Sequence, residues 1–300
     1  MRYRFVTADV FTDRVFGGNQ LAVLPDARGL DAPLMQAIAR EFNLSETAFV
    51  FPPDDPRHTR RLRIFTPGGE LPFAGHPTVG TAHVLAAIGE LRLAGPRTDV
   101  VFEEGVGPVP VSIRTDGGRV VHCELASARL PAVGPPPPTR ARLAAVLGIG
   151  PEELAPDRDP LAVSCGVPFL FVAVRDAAVL ARVRLDRQRW RETLADYWAP
   201  HLYVVALDPS RPDRVRARMF APALGIPEDP ATSAAAAALA GYLDRQGGGP
   251  GETLRWTVEQ GVEMGRPSRL QVEAERRGEA IAAVRVGGSS VMVSEGYLEL

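Results

Sequence analysis

Short runs of apolar residues, many of them alternating with polar ones, dominate the chain. The runs are bounded by Gly, Pro or Asp, a pattern typical of β-strands in a half-buried or buried sheet. The predicted strands are residues 4–11, 21–24, 47–51, 62–65, 109–113, 120–125, 162–164, 169–174, 202–207, 215–220, 254–258 and 269–273.

Apolar residues at helical spacing are less frequent and predict helices at residues 32–41, 76–88, 140–147, 187–197 and 229–243. Asp31 is expected to cap the first of these helices. The helices 76–88 and 229–243 are rich in Gly, Ala and Thr, which suits a helix enclosed by a sheet. Many strands around one such helix in each half of the chain predict an α+β fold.

Two stretches repeat one pattern about half a chain length apart. Arg63-Ile64-Phe65-Thr66-Pro67 precedes the helix expected to begin at His76-Pro77, and Arg218-Met219-Phe220-Ala221-Pro222 precedes the helix expected at Asp229-Pro230. A proline just inside a helix start loses no hydrogen bond there. Because a helix start presents N–H groups and partial positive charge, the repeat indicates two related halves, each directing a helix at an anion.

The domain limits follow from the loop signals. A stiff segment at residues 131–139, with prolines at 135–138, predicts a linker. We expect an N-terminal domain of residues 1–128, completed by a C-terminal strand near 287–300, and a C-terminal domain of residues 129–286. A Gly-rich segment at 246–251 predicts a flexible loop after the second repeated helix.

Composition excludes several classes of function. A formal charge of -2 and a pI near 6.2 give no reason to expect nucleic acid or an anionic membrane as a partner. All 34 basic residues are arginine, which excludes a lysine Schiff base with pyridoxal phosphate and a P-loop lysine. The histidines are dispersed, so no metal site is predicted. With two cysteines, no signal peptide and no membrane-spanning run, a cytoplasmic protein is expected.

Three polar residues are candidates for chemistry. Glu46 precedes an apolar strand, where loss of hydration raises the pKa of a carboxyl and suits it to proton transfer. His76 and Asp229 hold matching positions at the two predicted helix starts, where the dipole lowers the pKa of a histidine. Each also has an ordinary structural explanation: Glu46 as an arginine partner, and His76 and Asp229 as helix caps.

The chain resembles the PhzF-like phenazine-biosynthesis proteins of the diaminopimelate-epimerase fold along essentially its whole length. The blocks that carry the resemblance are residues 16–23 (Phe16-Gly17-Gly18-Asn19-Gln20-Leu21-Ala22-Val23), 44–47 (Leu44-Ser45-Glu46-Thr47), 65–78, 103–107, 225–232 and 260–268. Their order and spacing make the signal far more specific than any single motif.

The resemblance implies two pseudo-symmetric domains, each a curved, mostly antiparallel β-sheet or barrel around a central helix, with the active site in the cleft between them. It also implies a homodimer and an isomerase that needs no cofactor. In the phenazine enzyme, a glutamate moves a proton from C3 to C1 of trans-2,3-dihydro-3-hydroxyanthranilate. That glutamate matches Glu46. His76 and Asp229 are the other expected catalytic residues, and the substrate-binding residues expected around them are Ser45, Gly75, Thr78, Thr232 and Ser233.

One departure from the family bears on the substrate. The usual motif continues Gly-Ser after Asp-Pro-Ala-Thr, whereas Thr232 is followed here by Ser233-Ala234. The hydroxyl therefore moves one position earlier, a rotation of about 100° along a helix. The expected partner remains a small cyclic or amino-acid-like carboxylate.

Two alternatives stay open on the sequence alone. A two-base amino-acid racemase or epimerase normally needs a thiol at each helix start, whereas Cys123 and Cys165 lie elsewhere. A non-catalytic carboxylate-binding protein would use the same residues without proton transfer.

Overall fold

The computed structural model describes residues 1–245 and 252–300. The segment 246–251, predicted as a loop, lies outside the described residues. Eighteen strands and six α-helices are present in the described part of the chain. In chain order they are β1 (Arg2–Val10), β2 (Asn19–Leu24), α1 (Ala32–Phe42), β3 (Glu46–Phe51), β4 (Arg60–Phe65), β5 (Glu70–Leu71), α2 (Gly75–Ala87), β6 (Arg97–Glu104), β7 (Gly107–Asp116), β8 (Arg119–Ala126), β9 (Ala132–Val133), α3 (Arg140–Leu147), β10 (Leu161–Ser164), β11 (Pro168–Val174), α4 (Ala177–Arg182), α5 (Arg187–Leu194), β12 (His201–Leu207), β13 (Arg214–Ala221), β14 (Ile226–Asp229), α6 (Ser233–Arg245), β15 (Thr253–Gln260), β16 (Ser268–Arg277), β17 (Ala280–Gly288) and β18 (Ser290–Glu299).

The chain forms two compact units, the first of Met1–Ala126 with Gly287–Leu300 and the second of Ser127–Val286. In the first unit, β1 pairs antiparallel with β2 and β18, β2 pairs parallel with β3, and β3 pairs antiparallel with β4. Strand β4 then pairs antiparallel with β5 and parallel with β6, and β6, β7 and β8 continue antiparallel. The sheet is therefore mixed.

The second unit repeats that order of pairings. Strand β10 pairs antiparallel with β11, β11 parallel with β12, and β12 antiparallel with β13. Strand β13 pairs antiparallel with β14 and parallel with β15, which pairs antiparallel with β16. The two Arg-x-Phe-x-Pro segments found in the sequence supply the ends of β4 and β13.

Helix α2 is enclosed by the first sheet. All of its residues from Gly75 to Ala86 are buried, and it contacts β1, β2, β3, β7, β8 and β18. Small residues allow this approach: a Cβ at Gly80 would lie 2.5 Å from Val10 Cγ2 and 2.6 Å from Leu21 Cδ2. The predicted packing of a small-residue helix inside a sheet is therefore correct for this helix.

Helix α6 has the corresponding position in the second unit, where it contacts β10, β11 and β16. Its Tyr242 ring stacks on Phe171 with ring centroids 5.2 Å apart. Helices α3, α4 and α5 pack on a separate apolar core of the same unit, which contains Leu143, Leu180 and Trp190.

Helix α1 is amphipathic, as its sequence predicts. It buries Met35, Ile38 and Ala39, and the Asp31 carboxylate accepts a hydrogen bond from the Leu34 N–H at 3.0 Å. Asn43, at a φ of 50°, ends the helix in the left-handed conformation that this residue type tolerates. The chain then turns directly into β3.

Some sequence predictions were wrong. The helix expected at 229–243 begins at Ser233, because residues Ile226–Asp229 form a strand paired with β13. Strand β6 was missed because two of its inward positions carry Thr98 and Glu104, which interrupt the apolar alternation. No helix in the described residues is long and apolar enough to cross a lipid bilayer.

Candidate active site

Glu46 is the first residue of β3 and lies opposite Leu21 of β2 in the parallel ladder. The αL residue Asn43 directs the chain out of α1 and brings Ser45 and Glu46 to the edge of the core. The Glu46 side chain is 13% exposed, so its carboxylate is largely withdrawn from water. Ser45 is half-buried beside it.

His76 brings an imidazole to this carboxylate. It is the second residue of α2, and its Nε2 lies 3.3 Å from Glu46 Oε2. The two residues are 30 positions apart in sequence, and they meet because β3 packs against α2. The structure therefore brings together two of the three predicted catalytic residues.

Burial keeps His76 uncharged. Loss of hydration lowers the pKa of His76 to about 3, and a hydrogen bond with the Gln20 backbone offsets only part of that effect. The lowered pKa was predicted from the helix dipole, but the main cause is burial. A neutral imidazole does not hold Glu46 in an ion pair, so the carboxylate can accept and return a proton.

The start of α2 has the features of an anion site. Its N-cap residue is Ala74, which has no side chain to cap the first N–H groups, and Gly75 follows as a buried helical residue. Backbone N–H groups at a helix start attract negative charge. Gly75 is therefore well placed to approach a carboxylate with its backbone.

Thr78 is engaged inside the protein. Its Oγ1 lies 2.8 Å from the carbonyl of Ala74 and 2.7 Å from Glu104 Oε1, and the side chain is fully buried. In this structure the Thr78 hydroxyl links the first turn of α2 to the end of β6, and its predicted role in substrate binding stays a prediction.

Asp229 is the last residue of β14 and does not begin a helix. Its side chain accepts a hydrogen bond from Thr232 Oγ1. The Thr232 carbonyl accepts the Ala236 N–H at 3.0 Å, so Thr232 is the N-cap of α6, and Ser233 is its first, buried residue. Asp229, Thr232 and Ser233 thus form one turn in the second unit, whereas Glu46 and His76 belong to the first.

Gln260 holds this turn, and sequence reasoning did not assign it a role. It is fully buried at the end of β15, and its Nε2 donates to Asp229 O at 2.7 Å and to Thr232 Oγ1 at 3.0 Å. Its Oε1 accepts hydrogen bonds from Tyr203 Oη at 2.9 Å and from the Thr232 N–H at 3.3 Å. The sequence contains a second, shorter repeat that could have pointed to Gln260. It consists of Glu103-Glu104-Gly105-Val106 and Glu259-Gln260-Gly261-Val262, which end equivalent strands.

The cysteines are poor candidates for acid–base chemistry. Burial raises the pKa of Cys123 to about 12 and that of Cys165 to about 11, so both thiols are protonated at neutral pH. Neither lies at the start of α2 or in the Asp229 turn. Among the described residues, no group of three His, Cys, Asp or Glu side chains is arranged to hold a metal ion.

Comparison with known proteins gives one consistent result. Residues 8–296 match the phenazine biosynthesis-like protein family. The chain is 41% identical to an uncharacterized isomerase of Mesorhizobium japonicum and 36% identical to the trans-2,3-dihydro-3-hydroxyanthranilate isomerase of Pseudomonas aeruginosa, with 98% of each chain covered in both cases. The crystal structure of a PhzF-family phenazine biosynthesis protein from Bacillus anthracis superimposes with a TM-score of 0.90 at 24% identity, covering all of both chains.

Proposed function

We propose a function for this chain from its membership of the phenazine biosynthesis-like family, whose members similar to it are isomerases. The chain is an isomerase that transfers a proton between carbon atoms of a small carboxylate. It does so by general acid–base catalysis, without a cofactor. The substrate class that we propose is cyclic or amino-acid-like, similar to trans-2,3-dihydro-3-hydroxyanthranilate.

The observation that carries this proposal is the Glu46–His76 pair. A shielded carboxylate 3.3 Å from a neutral imidazole can take a proton from carbon and return it to another carbon of the same molecule. General acid–base catalysis contributes about 10²–10⁴-fold. Positioning of the substrate and exclusion of water supply the remainder of the rate.

We assign the steps as follows. Glu46 removes the proton from the substrate carbon, and the C–H electron pair moves into the conjugated system of the substrate. His76, as the neutral ring, accepts a hydrogen bond from Glu46 once that carboxyl carries the proton, and so fixes the orientation of the carboxyl. Glu46 then delivers the proton to the second carbon, so the carboxylate is regenerated and no other reagent is consumed.

The anionic group of the substrate requires its own site. We propose that the backbone N–H groups at Gly75 and at Ser233 bind it, with Ser45 and Thr232 contributing hydroxyls. Asp229 would assist by binding an amino or hydroxyl group of the substrate. The Ser233-Ala234 pair, in place of the family Gly-Ser, makes this side of the site the one that sets substrate preference.

We further propose that the two halves, residues 1–128 with 287–300 and residues 129–286, are pseudo-symmetric domains with the active site in the cleft between them. The repeated order of strand pairings supports this proposal, as does the matching position of α2 and α6 in their sheets. The family resemblance also leads us to propose a homodimer, which sedimentation equilibrium of the purified chain tests directly.

Proton transfer is tested by incubating the protein with trans-2,3-dihydro-3-hydroxyanthranilate in D₂O. We expect conversion with deuterium at one ring carbon, measured by NMR. In Glu46→Gln the rate should fall by about 10²–10⁴-fold, because the amide cannot accept the proton. Binding of the compound, measured by thermal shift, should remain.

Glu41→Gln serves as the matched control, since Glu41 is an exposed residue of α1. It should convert the compound at the wild-type rate. A Glu46→Gln protein that still incorporates deuterium at the wild-type rate contradicts the assignment. Binding of the compound by the wild type without any exchange would favour the carboxylate-binding alternative.

A further inference from the structure

Two strands of the molecule end on related sequences. Strand β6 ends at Glu104 and β15 ends at Gln260, each preceded by a glutamate and followed by Gly-Val. Strand β6 pairs parallel with β4, and β15 pairs parallel with β13, the two strands that carry the Arg-x-Phe repeat. Glu104 and Gln260 therefore occupy corresponding places in the two units.

Each of these side chains contacts the first turn of the helix inside its sheet through a threonine. Glu104 Oε1 lies 2.7 Å from Thr78 Oγ1, whose hydroxyl also lies 2.8 Å from the carbonyl of the N-cap residue Ala74. Gln260 Nε2 lies 3.0 Å from Thr232 Oγ1, and Thr232 is itself the N-cap of α6. Both contacts thus reach the segments that carry His76 and Asp229.

The glycine after each strand end makes a second contact with these segments. A Cβ at Gly105 would lie 2.8 Å from Pro72 Cα, and one at Gly261 would lie 2.7 Å from the carbonyl oxygen of Pro230. Neither position has room for a larger residue without moving the backbone. The backbone leaving each strand is therefore packed directly against the loop that precedes its helix.

We propose that Glu104 and Gln260 are equivalent positioning residues, which hold the turns bearing His76 and Asp229 in the geometry that proton transfer requires. Neither is a catalytic residue, because both act through a threonine and the backbone. The proposal rests on the proposed function, since the geometry that matters is that of the acid–base groups.

In the proposed arrangement Glu104 is a hydrogen-bond donor toward its threonine, as Gln260 is. The Thr78 hydroxyl has one hydrogen; when that hydrogen is given to the Ala74 carbonyl, a protonated Glu104 can donate its own hydrogen to the Thr78 oxygen. A protonated carboxyl does this, as the Gln260 amide does toward Thr232. Burial raises the pKa of Glu104 to about 8, which is consistent with a neutral carboxyl at pH 7. Its Oε2 has no hydrogen-bond partner among the described residues.

Charged groups near Glu104 are paired with one another. The cavity beside it has a volume of about 800 Å³ and is lined by β4, β5, β6 and the loop before β4. Its ion pairs are Arg61–Asp54, Arg57–Asp55 and Arg63–Glu70, and Glu103 is hydrogen-bonded to His58. On α2, burial lowers the pKa values of His76 and His83 to about 3 and 4, so both rings stay neutral across the alkaline range.

A reciprocal exchange of the two residues tests the proposal, with trans-2,3-dihydro-3-hydroxyanthranilate as the substrate. Glu104→Gln keeps the donor, so kcat at pH 7 should stay within a few-fold of wild type and should no longer fall as the pH rises through about 8. Gln260→Glu replaces the donor by a carboxylate beside Asp229. Its kcat should fall by about 10²-fold at pH 8 with KM nearly unchanged, and it should recover at lower pH.

Two further variants separate positioning from a merely structural role. Glu104→Leu and Gln260→Leu should lower kcat at every pH, whereas Glu259→Gln, next to Gln260 on the same strand, should leave it unchanged. If Glu104→Gln is as impaired as Glu104→Leu, or if Gln260→Glu behaves like wild type across the pH range, the proposal is overturned.

A measurement that does not depend on turnover separates the positioning role of Gln260 from the proposed isomerase activity. Amide hydrogen exchange at Thr232, whose N–H is bound to Gln260 Oε1, should be faster in Gln260→Leu and unchanged in Glu259→Gln. If wild type does not convert the compound, the proposed function fails, while this measurement still decides whether Gln260 holds the turn. Unchanged exchange in Gln260→Leu would contradict the positioning role.

Discussion

Burial determines what the polar side chains near the helix starts can do. His76 and Glu104 are both withdrawn from water, and in each case the uncharged form is the stable one at neutral pH. The consequences differ, because a neutral imidazole leaves Glu46 free to exchange a proton, whereas a neutral Glu104 becomes a hydrogen-bond donor. The charge state of one residue thus sets the role of its neighbour.

The raised pKa of Glu104 predicts a pH dependence of stability. The unfolded chain ionises this carboxyl near pH 4.5 and the folded protein near 8, so the unfolded state binds fewer protons between these values. The free energy of unfolding should therefore fall as the pH rises toward 8, by at most about 1.4 kcal/mol per pH unit.

Urea unfolding of wild type and Glu104→Gln between pH 6.5 and 9 measures this effect. The lowered pKa values of His76 and His83 act in the opposite direction and only below about pH 6.5, so they do not interfere. We expect the free energy of unfolding of wild type to fall relative to that of Glu104→Gln as the pH rises to about 8. Above that pH the difference between the two values should stay constant. A difference that is constant across the range would show that Glu104 is ionised in the folded protein.

The central helix of the first unit depends on close contact with its sheet. Gly80 lies in the middle of α2, where an alanine in an open helix would gain about 1 kcal/mol. Here the added methyl group would lie 2.5 Å from Val10 Cγ2 and 2.6 Å from Leu21 Cδ2. The absence of a side chain at this position is what allows β1 and β2 to cover the helix.

We expect Gly80→Ala to destabilise the protein by about 1–3 kcal/mol through overpacking, measured by chemical unfolding. Val10→Ala in the same chain should recover part of the loss, because it removes the Val10 Cγ2 methyl group, the nearest atom to the added Cβ. Gly69→Ala is the control, since a Cβ at Gly69 would have no atom within 4 Å. A Gly80→Ala protein as stable as wild type would show that the sheet yields to the methyl group.

The two ends of the chain pair with each other within the first unit. Strand β18 pairs with β1 from Arg2–Glu299 to Val10–Ser290, and the Leu300 N–H donates to the Met1 carbonyl at 2.7 Å. The first unit is therefore assembled from residues nearly 300 positions apart, and Gly287–Leu300 belongs to it although it follows the second unit in sequence.

Removal of residues 287–300 should therefore destabilise the first unit. We expect the midpoint of thermal unfolding to fall by about 10 °C or more, because each kcal/mol corresponds to about 2–4 °C in a unit of this size and a complete strand is lost. Hydrogen exchange at β1 should accelerate more than exchange at β12. Removal of Leu300 alone is the control, and equal stability of the two shortened chains would contradict the prediction.

Most of the local elements, the repeat and the acid–base candidates could be predicted from the sequence alone. Strand and helix patterns depend on residues that are neighbours in sequence, so they can be recognised one segment at a time. The Asp31 cap and the Gly/Ala/Thr-rich helix at 76–88 are examples. The family resemblance pointed to Glu46 and His76 in the same way, through contiguous motifs.

The use of the polar groups depends on contacts between distant segments of the chain. Asp229 ends a strand because β13 pairs with it, Thr78 turns inward because Glu104 reaches it from β6, and Gln260 binds a turn 28 residues earlier in the chain. Hydrogen-bond partners and desolvation depend on what packs around a side chain, and those neighbours come from distant segments. For that reason the sequence identifies the candidate residues, whereas their protonation states and the roles of Glu104 and Gln260 follow from the packing.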